Sequence, residues 1–156
     1  MPGNKVQNTE QFSTFYVCDR LYGLDVTRVQ EIVRDMQTTG IPLAPAYVRG
    51  LINLRGQVAT AIGLRELFSL PKDETSEVLN VVCKIEGFLI SFQVDKIGDV
   101  MEVQSSDFEP TPNTIPESTR RFLAGVYKVS SQLLSIIDID KVMFYLNEQN
   151  NNDKAA

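Results

Sequence analysis

The sequence contains no histidine. That one absence removes histidine triads, mixed cysteine and histidine dyads, imidazole metal ligands and histidine phosphotransfer together. Cysteine is nearly as scarce: Cys18 and Cys83 each follow a valine in a strand-like run, the setting of a small buried hydrophobe. A disulfide between them is the lesser reading, because a reducing cytosol disfavours it. No apolar run approaches the roughly 18 residues needed to cross a bilayer, so direct membrane insertion is not expected. The opening Met1-Pro2-Gly3-Asn4-Lys5-Val6-Gln7-Asn8 lacks the apolar core of a secretion signal. The expected location is the cytoplasm. Basic excess is missing too: the formal charge is -5, with both signs mixed along the chain, so a nucleic-acid partner is not expected. Between Gly50 and Gly56 there is neither G-x-G-x-x-G spacing nor a G-K-[ST] ending, which leaves nucleotide binding without support.

What is present is an ordinary globular composition, 43% hydrophobic over 156 residues, enough for one domain or two very small ones. The best-marked stretch is Gly50-Leu51-Ile52-Asn53-Leu54-Arg55-Gly56-Gln57-Val58, with Leu64-Arg65-Glu66-Leu67-Phe68 behind it. It reads as strand, tight turn, strand and short helical turn, with an arginine at the tip. A second version lies at Gly125-Val126-Tyr127-Lys128-Val129-Ser130-Ser131-Gln132-Leu133, followed by Ile139-Asp140-Lys141-Val142-Met143. The glycine, the apolar alternation and the glutamine recur, whereas Arg55-Gly56 gives way to Ser130-Ser131. Upstream, Val94-Asp95-Lys96-Ile97-Gly98-Asp99-Val100 repeats the spacing of Val26-Thr27-Arg28-Val29-Gln30-Glu31-Ile32. One folding pattern is used twice.

In chain order, residues 1–11 read as a flexible arm, and 12–18 with 21–26 as a hairpin about Asp19-Arg20. A helical turn leading into a strand is predicted over Val26 to Val33. Gly40, Pro42 and Pro45 mark a loop, after which 51–54 and 58–62 pair about Arg55-Gly56. Leu64, Leu67 and Phe68 share one face of a short helix that Pro71 ends. Lys72 to Glu77, charged and polar, is the natural linker. Residues 79–85 and 88–94 turn at Glu86-Gly87, 118–123 form a brief helix, and 125–129 pair with 132–137. Ile139, Val142, Met143 and Leu146 form a short C-terminal helix before a flexible tail, 147–156. Each half, about 12–71 and 78–146, holds four or five strands and little helix. An all-β protein of two small five-stranded β-barrel subdomains packed together through an apolar interface is expected. Exchange of a strand between the halves stays open.

Asp95 with Asp99, and Asp138 with Asp140, are carboxylate pairs of the kind used in acid and base chemistry. Nothing near them supplies a nucleophile, an oxyanion hole or a metal-ligand cluster, so no catalytic residue, metal or cofactor is assigned. Arg55 is the sharpest single residue. Its plain role is a solvated turn, and its functional role is a forked cation on a rigid tip that clamps a partner's oxygens. Val29 and Ile32 divide likewise between core and partner contact.

At Val48-Arg49-Gly50-Leu51-Ile52-Asn53-Leu54-Arg55-Gly56 and the helix after it, the chain resembles the CheW family of bacterial chemotaxis coupling proteins. Tyr22-Gly23-Leu24-Asp25-Val26 with Val29-Gln30-Glu31-Ile32, and Val94 to Val100, resemble two further signatures of that family, together covering about residues 12–146. The resemblance implies SH3-like barrels and a non-enzymatic adaptor linking the cytoplasmic tips of chemoreceptors to the regulatory domain of the histidine kinase CheA. It also implies ring contacts with other CheW-like domains. Carried over, the receptor-binding positions are Val29, Glu31, Gly50, Arg55, Val94 and Asp95; no motif assigns the kinase-binding residues. The chain departs from the family at Thr60 and Gly63, where proline and aspartate are usual. Gly63 removes a side chain able to cap the helix, and the altered surface leaves room for a CheW-like module of another array or an additional copy.

Overall fold

The structure, a computed structural model, describes residues 8–34, 36–72 and 77–154, the side chains of 150–154 excepted. Among these described residues are ten strands: β1 (Thr9–Val17), β2 (Arg20–Asp25), β3 (Val29–Arg34), β4 (Val48–Leu54), β5 (Gln57–Gly63), β6 (Leu79–Ile85), β7 (Phe88–Val94), β8 (Lys96–Gln104), β9 (Leu123–Val129) and β10 (Gln132–Ile137). Helices are few: α1 (Leu64–Leu67), α2 (Glu117–Arg120) and α3 (Ile139–Lys154). Two-residue turns join the predicted hairpins β1–β2, β4–β5, β6–β7 and β9–β10. Positive φ at Cys18 and Asp19, Arg55 and Gly56, and Glu86 and Gly87 gives three of these turns the twist that matches paired strands.

The strands form two five-stranded sheets, β8-β1-β2-β10-β9 and β3-β6-β7-β5-β4. In the first sheet β2 and β10 run parallel, and in the second β5 and β7 do. Each sheet curls until a single bridge closes it, Thr39 to Leu51 in one and Glu109 to Val126 in the other. The expectation of two small five-stranded units is met, but their boundary does not fall at the 72–77 linker. The hairpin β1–β2 of the first half sits in the sheet made by β8, β9 and β10, while β6–β7 of the second half sits with β3, β4 and β5. The exchange is of a hairpin in each direction, and it is reciprocal.

Burial explains why. Along β1, Phe12 joins a cluster with Leu21, Tyr127, Leu134 and Ile136 inside the first barrel, whereas Phe15 and Val17 point to the opposite face. On β6, Val82 lies inside the second barrel while Val81, Cys83 and Ile85 face outward. These outward rows of β1, β2, β6 and β7 meet in the largest cluster, which also takes in Leu64, Phe68, Phe122, Ile139 and Val142. A hairpin apolar on both faces must be covered twice, by its own barrel and by the other. Each large apolar side chain fully buried there contributes about 1.5–3 kcal/mol.

The ends differ from expectation. β1 begins at Thr9, within the expected arm, and residues 1–7 lie outside the described part. α3 runs on through the expected tail to Lys154, no glycine or proline intervening to stop it; residues 155–156 are outside the described part. So are 73–76 of the expected linker.

Candidate functional site

The β4–β5 hairpin ends in Arg55 at φ 51° and Gly56 at φ 90°. A left-handed arginine is uncommon, and the tip is held by the Gly56 N–H donating to Asn53 Oδ1 at 2.9 Å. From this tip Arg55 Nη2 donates to both carboxylate oxygens of Glu31 on β3, at 2.8 and 2.6 Å. The Arg55 side chain is 73% exposed and that of Glu31 23%. Hydrogen bonding to Glu31 raises the Arg55 pKa, and the charge of Glu31 acts in the same direction. The guanidinium is therefore cationic at any physiological pH, and the pair engages one nitrogen of its fork.

Of the expected site residues, the structure brings these two together. Gly50, on the same strand as the tip, has φ 139°, and a Cβ there would collide with the carbonyl oxygen of Thr39. This close approach is what lets the Thr39 bridge close the barrel. Gly125 does the same in the other barrel, where Phe108 and Glu109 pass over it. Val29 is half-buried against the central cluster, and it is Ile32, 43% exposed, that faces outward on β3. Val94 is buried in the same cluster. The pairing of Ala59 with Leu89 and Gly63 with Gln93 puts Val94 and Asp95 at the end of the sheet opposite the Arg55 turn. The six positions are thus two groups, not one.

Asp95 is engaged from both barrels. Arg65 Nε donates to its Oδ1 at 2.9 Å, Arg65 Nη2 bonds Oδ2, and the Cys18 N–H donates to Oδ2 at 2.8 Å. Arg65 is a residue to which the sequence pattern gives no role of its own. Its partner is 30 positions away and in no helical or cross-strand register with it. Of the remaining pair, Asp138 Oδ1 accepts from the Lys141 N–H at the start of α3, and Asp140 lies 3.9 Å from Arg28.

The two departures have distinct settings. Thr60 lines an open groove of about 950 Å³ between β5, β7, the Ile41 to Tyr47 segment and α3. Leu43, Val58 and Phe88 are exposed along it. At Gly63 the missing side chain is replaced in space by the Glu66 carboxylate, which a Cβ would strike. Glu66 pairs with Arg49 at 3.4 Å, so an acid three residues along occupies the start of α1.

Comparison with known proteins agrees with this architecture. A family model described as a CheW-like domain matches residues 11–144. The chain is 32% identical to the chemotaxis protein CheW of Treponema pallidum over 86% of this chain and 84% of that protein. To the chemotaxis protein CheW of Bacillus subtilis it is 30% identical, over 89% and 90%. The crystal structure of the scaffolding protein TtCheW from Thermoanaerobacter tengcongensis superposes with TM-score 0.77 at 29% identity, covering 84% of this chain and 90% of that one.

Proposed function

This chain belongs to the CheW family, and we propose that it is a non-enzymatic adaptor coupling chemoreceptor tips to the regulatory domain of the histidine kinase CheA. The observation that carries the reading is the Arg55 tip: a cation locked on a rigid turn, backed by Glu31 and 73% exposed. A guanidinium so held offers directional donors to a partner's carboxylate or carbonyl at little further entropic cost. Arg55 and Glu31 are the receptor contact. Val29, Gly50 and Val94 shape the barrel that presents it, and Asp95 acts from the junction between barrels. Such a protein works by holding two partners in one geometry, so that a shift in receptor populations biases the kinase. Contacts with further CheW-like domains would extend the assembly into rings. The working location is the cytoplasmic face of receptor arrays; among the described residues no helix is long and apolar enough to cross a membrane.

The test is reconstitution of receptor signalling fragment, CheA and this protein, scored by kinase activity. Receptor-dependent stimulation is expected with the natural chain and its loss with Arg55→Ala. Undiminished stimulation by that variant would refute the contact. Thr60 in the groove favours a second reading, an adaptor of a different array, and stimulation by one receptor class but not another would establish it.

A further inference from the structure

Two segments carry the chain from one sheet to the other: Val26–Arg28, between β2 and β3, and Asp95 alone, between β7 and β8. Each is tied by an ion pair to the helix that follows a terminal hairpin, α3 or α1, and the polarity is reversed. Arg28 of the first crossover faces Asp140 at 3.9 Å, with side chains 42% and 84% exposed, beside an open groove of about 400 Å³. Arg65 grips Asp95 of the second crossover with two nitrogens at 16% and 20% exposure. The same arginine donates from Nη1 to the Pro71 carbonyl at 2.6 Å and to Cys18 Sγ at 2.8 Å. The Asp95 N–H donates to the Tyr16 carbonyl at 3.0 Å. Arg65 and Pro71 follow a strand of the second barrel, whereas Tyr16 and Cys18 belong to the first.

The apolar cluster between the barrels holds them together chiefly by burial, a force that is not itself directional. A forked, charge-assisted contact is directional. We infer that Arg65 and Asp95 are positioning residues that fix the mutual orientation of the two barrels, and that this clamp is what Asp95 contributes to coupling. The pair at the first crossover is looser and more exposed. The inference rests on the adaptor reading for its functional half alone; the orientation itself is a property of the isolated chain.

The test uses the full chain with Arg65→Gln and Asp95→Asn combined, which removes both charges of this pair together. Residual dipolar couplings of backbone amides report each barrel's orientation separately. In the natural chain, couplings from both barrels are expected to fit one alignment tensor. In the double variant each barrel fits its own internal structure while the two tensors differ. Asp140→Asn, which breaks the loose pair, keeps one tensor. A common tensor in the double variant overturns the clamp.

On the functional side, the double variant is compared with the natural chain at receptor-fragment and kinase concentrations that saturate each pairwise complex. Stimulation of the kinase in the three-component assembly falls by about fivefold or more, the low end of ordinary coupling. Unchanged stimulation overturns the role in coupling. A natural chain that binds neither partner overturns the adaptor reading instead, and the dipolar couplings then decide the clamp by themselves.

Discussion

Arg55 and Glu31 join across the seam of the second barrel: β3 and β4 are the two edges of its sheet, and one guanidinium nitrogen at the β4–β5 tip reaches both oxygens of the β3 carboxylate. An exposed pair adds little to stability. Arg55→Ala is therefore expected to leave the unfolding midpoint nearly unchanged and to weaken binding to a receptor fragment by roughly tenfold, the scale of an interface arginine. Glu31→Gln, which keeps the arginine, should weaken binding less. Titration calorimetry of both variants at two salt concentrations checks this, and equal losses would show that Glu31 contributes on its own.

Gly50 and Gly56 lie at the two ends of one strand-turn unit and answer to different constraints. A Cβ at Gly50 runs into the Thr39 backbone, whereas one at Gly56 meets nothing within 4 Å. Gly50→Ala is expected to cost about 2–5 kcal/mol through collision and backbone strain. Gly56→Asn, an accepted left-handed turn residue, should cost under about 1 kcal/mol. Urea denaturation of the two variants distinguishes a fold glycine from a turn glycine.

Gly63→Asp restores the side chain usual in the family, but Glu66 occupies its place. The single change should destabilise by about 1 kcal/mol as Glu66 is pushed from Arg49. In a Glu66→Ala background the same change should stabilise by about 0.5–2 kcal/mol through capping of α1. A thermodynamic cycle measures the coupling, and additive effects would separate the two positions.

The two thiols should behave differently. Burial pushes Cys83 up from 9.0 to about 12, so the folded state holds a proton that the unfolded chain releases above pH 9. The stability this contributes is complete below pH 9 and is lost as pH rises towards 12. The urea midpoint is expected to fall over that window, less steeply in Cys83→Ala. A thiol reagent should modify half-buried Cys18 first and Cys83 only on unfolding.

The hairpins were legible because each is a local event: alternating apolar residues, a two-residue turn, and residues such as Gly56 and Gly87 that accept positive φ. Their partners were not. Val81 and Val82 belong to different clusters although adjacent, and no periodicity says which barrel covers which face. Arg55 was legible from its isolation at a turn, and Glu31 entered through the family signature. Their contact across 24 positions was not legible. Arg65 was hidden for the same reason, since its ligands come from three segments that meet only after the barrels pack. At Gly63 the sequence shows only that an acid is missing; Glu66, one turn along, fills the space.

The reciprocal exchange of β1–β2 and β6–β7 bears on how such a chain could arise by duplication. A polypeptide of half this length, carrying one copy of the pattern, would hold a hairpin and three further strands that its own connections send to different sheets. It could complete neither sheet alone. Two such molecules, related by a twofold axis and trading hairpins, would complete both. With both copies in one chain the two turns need not match, and here they are Arg55-Gly56 and Ser130-Ser131.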